Sequence, residues 1–475
     1  MSLVIFGRLA QFIVALITIK VATSLLTPSE MGKVSLILST VAFFVLLLVN
    51  PVGMFINRRL HSWNETGKAK KYFIYHLYYL CLISLFSAVF LYWLYNSGVL
   101  DFGVQIYWLI FLTGASIVFN TINQTSIPSL NLLGYTPQFV ILTVATVSSS
   151  FFFAVLLVYL YAYEAKYWVL GILAGQLVLG LFGLKILFSK LGKYESPSSH
   201  MAISRKHLVS LFSFSWPVMI AAVLGWSQFQ GYRYVVEWQI GLASLGLFAA
   251  GYGVSAGLIA GFESVLTTYF QPKMYKDINS KQHNEQLVWQ RYAKSVIPSA
   301  LLVVGLIAIL SDDLVRIFLG EKFYAAKEFV VWGALSEGAR VVIGVYSLIA
   351  HIKMKTQWLI VPSVIGAVLS ISLSIIFLQK FGVLGVGIAL SVAGLASIVA
   401  IHVLLAKHVA ASFLIFKLIL PVGAFIALLW GWSMIIGDLI SGYGGVEIIL
   451  RTTIIGLLYI ALQYLLLRDF VREAH

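Results

Sequence analysis

The chain has 475 residues, 60% of them hydrophobic and 11% charged, with a net charge of +14 and a mean hydropathy of +0.94. A soluble domain cannot hide that much apolar surface, so the composition excludes a water-soluble enzyme or nucleic-acid binder and indicates an all-α polytopic membrane protein. Ten-residue apolar alternation is absent, which argues against an outer-membrane barrel, and the single cysteine, Cys81, rules out an internal disulfide.

Fourteen apolar spans are expected, near 3–25, 34–56, 72–95, 105–130, 138–161, 168–188, 208–230, 242–268, 292–310, 329–350, 357–378, 383–405, 413–436 and 448–467. The first reads LVIFGRLAQFIVALITIKVATSLL and carries Arg8 and Lys20 without an acidic residue. No basic segment precedes it and Lys20 interrupts it, so it is not a cleavable signal. The fourth, interrupted by Asn120, Asn123 and Gln124, and the ninth have the weakest patterns. Alternate loops hold nineteen and seven Lys and Arg residues. The richer set, which includes 57–71, 189–207, 270–294 and the tail 468–475, is therefore expected on the cytoplasmic side, with both termini. Most of the net charge is thus a topology signal, and no nucleic-acid partner is expected. No loop is long enough for a soluble catalytic domain, and the outer segment 311–328 reads as a solvated connector. The sequence has no GxxxxGK[ST], HExxH, CxxC or GxSxG motif and no histidine cluster with ligand spacing. No catalytic residue, metal or cofactor is expected.

The chain also echoes itself. LLTPSEMGKVSLILS aligns with QIGLASLGLFAAGYG, placing Gly32 on Gly246 at an offset of 214. The turn Gly134-Tyr135-Thr136 matches Met354-Lys355-Thr356 at an offset of 220, and Gly171 matches Gly387 at an offset of 216. An even number of spans per repeat gives both halves one orientation, with a substrate site expected between them. The expected domains are a six-helix lobe over 1–188, a cytoplasmic linker over 189–207, a second six-helix lobe over 208–408, and an added helix hairpin with a tail over 409–475.

These features resemble the polysaccharide flippases of the multidrug/oligosaccharidyl-lipid/polysaccharide exporter superfamily. The resemblance rests on LLTPSEMGKVSL, the linker, GYRYVVEWQIGLASLGLFAAGYGVSAGL and FGVLGVGIALS, in that order and spacing. It implies a V-shaped pair of lobes that alternate in access. The implied substrate is an undecaprenyl-diphosphate-linked oligosaccharide, such as an O-antigen or other surface-polysaccharide repeat unit. It would be moved across a bacterial inner (plasma) membrane, with polysaccharide polymerase and chain-length proteins as partners. One departure stands out. Relatives often carry an Asp-Arg pair where this chain has Tyr232-Arg233; Arg233 carries over, and Glu237 stands four residues later as a substitute acid.

Charges at membrane depth cost about 2.5–3.5 kcal/mol on insertion scales and usually face an interior or a water-filled path. Arg8, Lys20, Arg233, Arg340 and Arg59 are the candidate substrate contacts, because a guanidinium donates paired hydrogen bonds to a diphosphate. Each also has a plainer reading: Arg8 and Lys20 as snorkelling side chains, Arg59 as a topological anchor, Arg340 as a structural partner of Glu337. Glu263 and Glu337 are the candidate ion-coupling residues. Gly253, Gly257 and Gly261 read as a tight helix contact. Trp93, Trp108, Trp168 and Trp332 read as interface belts. Three alternatives remain open at this stage. They are a lipid II-type flippase, a drug/cation antiporter of the same superfamily, and a membrane-embedded polysaccharide polymerase or ligase.

Overall fold

Inside lipid every backbone N–H and C=O needs an internal partner, so each long apolar run closes on itself as a helix. The computed structural model describes residues 2–98, 103–191, 205–279, 285–353, 355–409, and positions 423, 430–431, 450, 453–457, 459 and 461. Among them there is no strand. The helices are α1 (Ser2–Leu25), α2 (Pro28–Phe44), α3 (Asn50–Glu65), α4 (Ala69–Asn96), α5 (Ile106–Leu132), α6 (Thr136–Leu160) and α7 (Ala165–Lys190). They continue with α8 (Arg205–Gln230), α9 (Tyr232–Gln239), α10 (Leu242–Asn279), α11 (Glu285–Ile309), α12 (Ser311–Phe318), α13 (Lys327–Ile352), α14 (Ile360–Phe381) and α15 (Leu384–Val409). Among the described residues, eleven helical segments are long and apolar enough to cross a membrane. A further helix, α8, lies where the seventh span was expected. The protein is an all-α, multi-span membrane protein. Most of the expected hairpin 413–436 and 448–467, most of the linker 189–207, and Met354 lie outside the described residues.

Local chemistry sets the ends. Thr27 caps α2 by accepting from the Glu30 N–H at 3.3 Å, and Pro28 occupies the first turn, where a missing N–H costs nothing. Glu30 then pairs with Lys33 at 2.7 Å and accepts the Ala165 N–H at the start of α7, also at 2.7 Å. The TPSEMGK turn is thus a double cap that ties two helices together. Beyond Phe44 the helix widens into a π turn, Val45–Val49, before Pro51. The Tyr79 hydroxyl donates to the Leu48 carbonyl in this turn at 2.7 Å. The whole run Pro28–Glu65 is one 38-residue helical segment, longer than the second span expected from hydropathy.

The chain forms two compact units, Met1–Leu247 and Phe248–His475. In the first, α5 lies against α4, α6 and α7. Asn123, one of the polar residues that weakened the fourth span in sequence, bonds to both neighbours. Asn123 donates to Thr146 on α6 at 3.0 Å and to the Gln176 carbonyl on α7 at 3.4 Å. Ser150 donates to the Ile172 carbonyl at 3.1 Å. Small residues bring the backbones close enough: a Cβ on Gly171 would stand 2.3 Å from Ala154 Cα, and one on Gly175 would stand 2.4 Å from the Ser150 nitrogen. Also within this unit, the start of α10 crosses the start of α2. A Cβ on Gly246 would fall 1.8 Å from the Pro28 carbonyl oxygen, and one on Gly32 would fall 2.1 Å from that of Leu242. The two glycines matched by the internal repeat therefore meet each other.

In the second unit α13 lies against α11 and α15, and α15 against α14. Gly333 presses on Tyr252 and Ser255 of α10, and Gly387 on the Trp332 side chain. Three sequence expectations change. A Cβ on Gly253 or Gly257 would meet nothing within 4 Å, so they make no tight contact; Gly246 and Gly251 do. Trp168 is 2% exposed and belongs to the first unit's core rather than an interface belt. The segment 311–328 is not a solvated connector. It forms α12 and a 3-10 turn, Glu321–Ala326, burying Leu314, Val315, Leu319 and Phe323. Its buried residues are spread over a short helix and the 3-10 turn after it, a pattern too brief to read within a charged loop.

Candidate functional site

Polar side chains gather in three places. The first is α1. Arg8 is exposed and reaches Gln11 one turn on at 3.3 Å, with its guanidinium carbon 5.9 Å from the Phe139 ring centroid on α6. Arg8 and Gln11 thus share one helix face at i,i+3. Lys20 is half-buried, and its carbonyl accepts from Thr23 at 3.1 Å and Ser24 at 2.8 Å.

The second is a polar seam along α2. Ser35, Ser39 and Thr40 line it. The Arg233 Nε donates to Ser35 Oγ at 2.7 Å, and its guanidinium also bonds Gln230 Oε1 and sits 4.8 Å from the Tyr232 ring centroid. The Tyr234 and Thr40 hydroxyls bond at 2.8 Å. The Trp226 Nε1 donates to the Ser39 carbonyl at 3.0 Å. The partners of Arg233 are therefore neutral; Gln230, three residues before it, stands where the sequence suggested Glu237. Arg59, on the extended α3, lies over the Phe55 ring at 4.8 Å.

The third place joins residues that the sequence separated. Arg340 Nε donates to Glu337 Oε2 at 2.6 Å, the i,i+3 pair expected on α13. Arg340 Nη2 also donates to Glu263 Oε2 on α10 at 2.8 Å. Glu337 is 6% exposed, and its other oxygen accepts from the Tyr252 hydroxyl at 2.5 Å. Two carboxylates surround one guanidinium, so the cluster carries one negative charge in excess. Glu263, on α10, completes this cluster. Tyr252 gave no signal in the sequence, since an isolated tyrosine in a span is ordinary. Among the described residues no three His, Cys, Asp or Glu side chains come together as metal ligands.

Comparison with known proteins agrees with this architecture. Residues 21–328 match the family model described as polysaccharide biosynthesis protein. The probable low-salt glycan biosynthesis flippase Agl15 of Haloferax volcanii is 24% identical over 272 residues, covering 54% of this chain and 51% of that protein. The chain thus spans about half the length of this curated relative. Among solved structures, the lipid II flippase MurJ in its inward closed conformation superposes with a TM-score of 0.62 at 16% identity, covering 99% of both chains. An inward-facing multidrug resistance MATE family transporter of the MOP superfamily gives 0.64 at 15% identity, covering 86% of this chain and 98% of that one. At these identities the two structures establish the fold.

Proposed function

We propose that this chain, which belongs to the polysaccharide biosynthesis protein family, is a flippase for a lipid-linked glycan and not an enzyme. The observation that carries this reading is Arg233, whose partners among the described residues are all neutral. Such a guanidinium keeps its charge available for an anionic head group. Arg8 has the same character, and Lys20 and Arg59 add cations along the first unit. The substrate is a polyprenyl-diphosphate oligosaccharide, undecaprenyl in a bacterial inner (plasma) membrane, of the O-antigen or a related repeat-unit class. Its diphosphate meets the cations, and its prenyl chain stays in apolar surroundings. The termini are cytoplasmic, and export runs outward.

An inside-negative potential favours that direction. Each charge crossing gains about 2.3 kcal/mol per 100 mV, so a diphosphate with two charges gains about 4–5 kcal/mol. The Glu263–Arg340–Glu337 cluster supplies a second input. Protonating or cation-loading one carboxylate removes its excess charge, which links the lobe's state to an ion gradient.

The same cluster favours one rival, a cation antiporter, because carboxylates are what such a transporter requires. Proteoliposomes separate the two. The flippase reading expects a fluorescent polyprenyl-diphosphate oligosaccharide to move, faster under an inside-negative potential. Efflux of a cationic dye under an ion gradient, with no lipid movement, would overturn it.

A further inference from the structure

Beside the polar seam of α2 lies a cavity of about 240 Å³. Its wall is formed by Phe43 and Phe44 of α2, Phe90, Leu91 and Leu94 of α4, and Trp226 of α8. Thr40 and Tyr234 complete it. The rings brace one another: Phe43 and Trp226 meet edge-on at 5.0 Å, Phe44 and Phe90 at 6.0 Å, and Trp226 and Tyr234 tilt together at 5.7 Å. Rigid aromatic walls hold the space open rather than letting it collapse. The π turn that follows Phe44 contributes, since its wider radius displaces the helix from the ideal line immediately beyond the cavity.

The wall's polar atoms are already engaged. Thr40 Oγ1 donates to the Leu36 carbonyl at 2.9 Å and meets the Tyr234 hydroxyl at 2.8 Å, while Trp226 Nε1 donates to the Ser39 carbonyl at 3.0 Å. A sugar placed here would find few hydrogen-bond partners and lose those it had in water. An apolar occupant loses nothing. A dry cavity of about 150 Å³ admits a benzene-sized molecule; this one has room for a short stretch of a single chain. Arg233 precedes Tyr234, and both reach α2, so a cation adjoins an apolar cavity. That pairing fits an amphiphile with an anionic head and one apolar chain. A phospholipid brings two chains to a space for one.

We infer that this cavity seats the diphosphate-proximal part of the carrier's single polyprenyl chain while Arg233 meets the phosphate. The inference rests on the proposed flippase reading and adds a chain-binding site to it. The cavity then measures the carrier and not the glycan, so carriers bearing different sugars share it.

The test is photolabelling of the full chain in nanodiscs with a sugar-free polyprenyl diphosphate bearing a diazirine near its head, followed by peptide mapping. Label on the segments around Phe43, Phe90 and Trp226 is expected. Excess unlabelled polyprenyl diphosphate should displace it and phospholipid should not. Leu94→Trp, which fills the space from the half-buried rim, should cut the label at least fivefold with an unchanged melting temperature. A second variant, Leu94→Ala, keeps the test informative if the tryptophan disturbs folding, because it should retain the label. Label displaced equally by phospholipid would overturn the inference in favour of an ordinary lipid site. No label, with glycan-lipid transport intact, would overturn it and leave the flippase reading standing. Label at the cavity with no transport of any glycan-lipid would support the site and overturn the reading it rests on.

Discussion

The two units surround an arginine in opposite ways. In Met1–Leu247, Arg233 leans on a hydroxyl, an amide oxygen and an aromatic ring, and Arg8 on an amide oxygen and a ring. In Phe248–His475, Arg340 is clamped between Glu337 and Glu263. A guanidinium among neutral partners still attracts an anion, whereas one between two carboxylates is more than neutralised. Residue type made these arginines look equivalent; their partners make them different. On the proposed reading, the first unit would receive a negative head group and the second would respond to a cation or proton.

The sharpest way to break this comparison is to remove Arg340. With Glu337 buried, Arg340→Ala leaves two close carboxylates uncompensated, and the expected loss is about 3–5 kcal/mol, seen as poor expression or a large fall in melting temperature in detergent. Arg8→Ala removes an exposed group and should leave melting unchanged. Comparable losses from both variants would erase the distinction.

A smaller effect is expected at the helix crossing in the first unit. Gly246→Ala drives a methyl into the Pro28 carbonyl, which overpacking values place at about 1–3 kcal/mol. Gly253→Ala, in open space on the same helix, should be neutral or mildly stabilising. Equal melting temperatures would show that the crossing is not tight. The smallest effect belongs to the buried polar seam: Asn123→Ala should cost about 0.6 kcal/mol, the average for such bonds between membrane helices, without altering transport.

These contrasts show where the sequence speaks and where it is silent. Apolar length announced the helices because lipid leaves the backbone no alternative. The i,i+3 spacing announced Arg340–Glu337, since helical geometry alone sets such pairs. Glu263 lies 77 residues from Arg340 in sequence, and that bond depends on how α10 lies against α13. The same holds for Arg233 and Ser35, 198 residues apart. Glycine spacing misled at Gly253 and Gly257 because a small-residue stripe records that close approach is allowed, not that a neighbour is there. The internal repeat was more informative. It aligned Gly32 with Gly246, and these are the glycines that meet.

The most direct test of the division between the units is an initial-rate assay in proteoliposomes. A fluorescent polyprenyl-diphosphate oligosaccharide would be followed under an imposed potential, with and without a pH gradient, for the native chain, Arg233→Gln and Glu263→Gln. A charge-assisted contact is worth about 1.5–3 kcal/mol, so Arg233→Gln should slow transport about 10- to 100-fold under every condition while the fold stays intact. Glu263→Gln should keep potential-driven movement and lose the response to the pH gradient. Native rates from Arg233→Gln, together with complete loss in Glu263→Gln, would contradict the account.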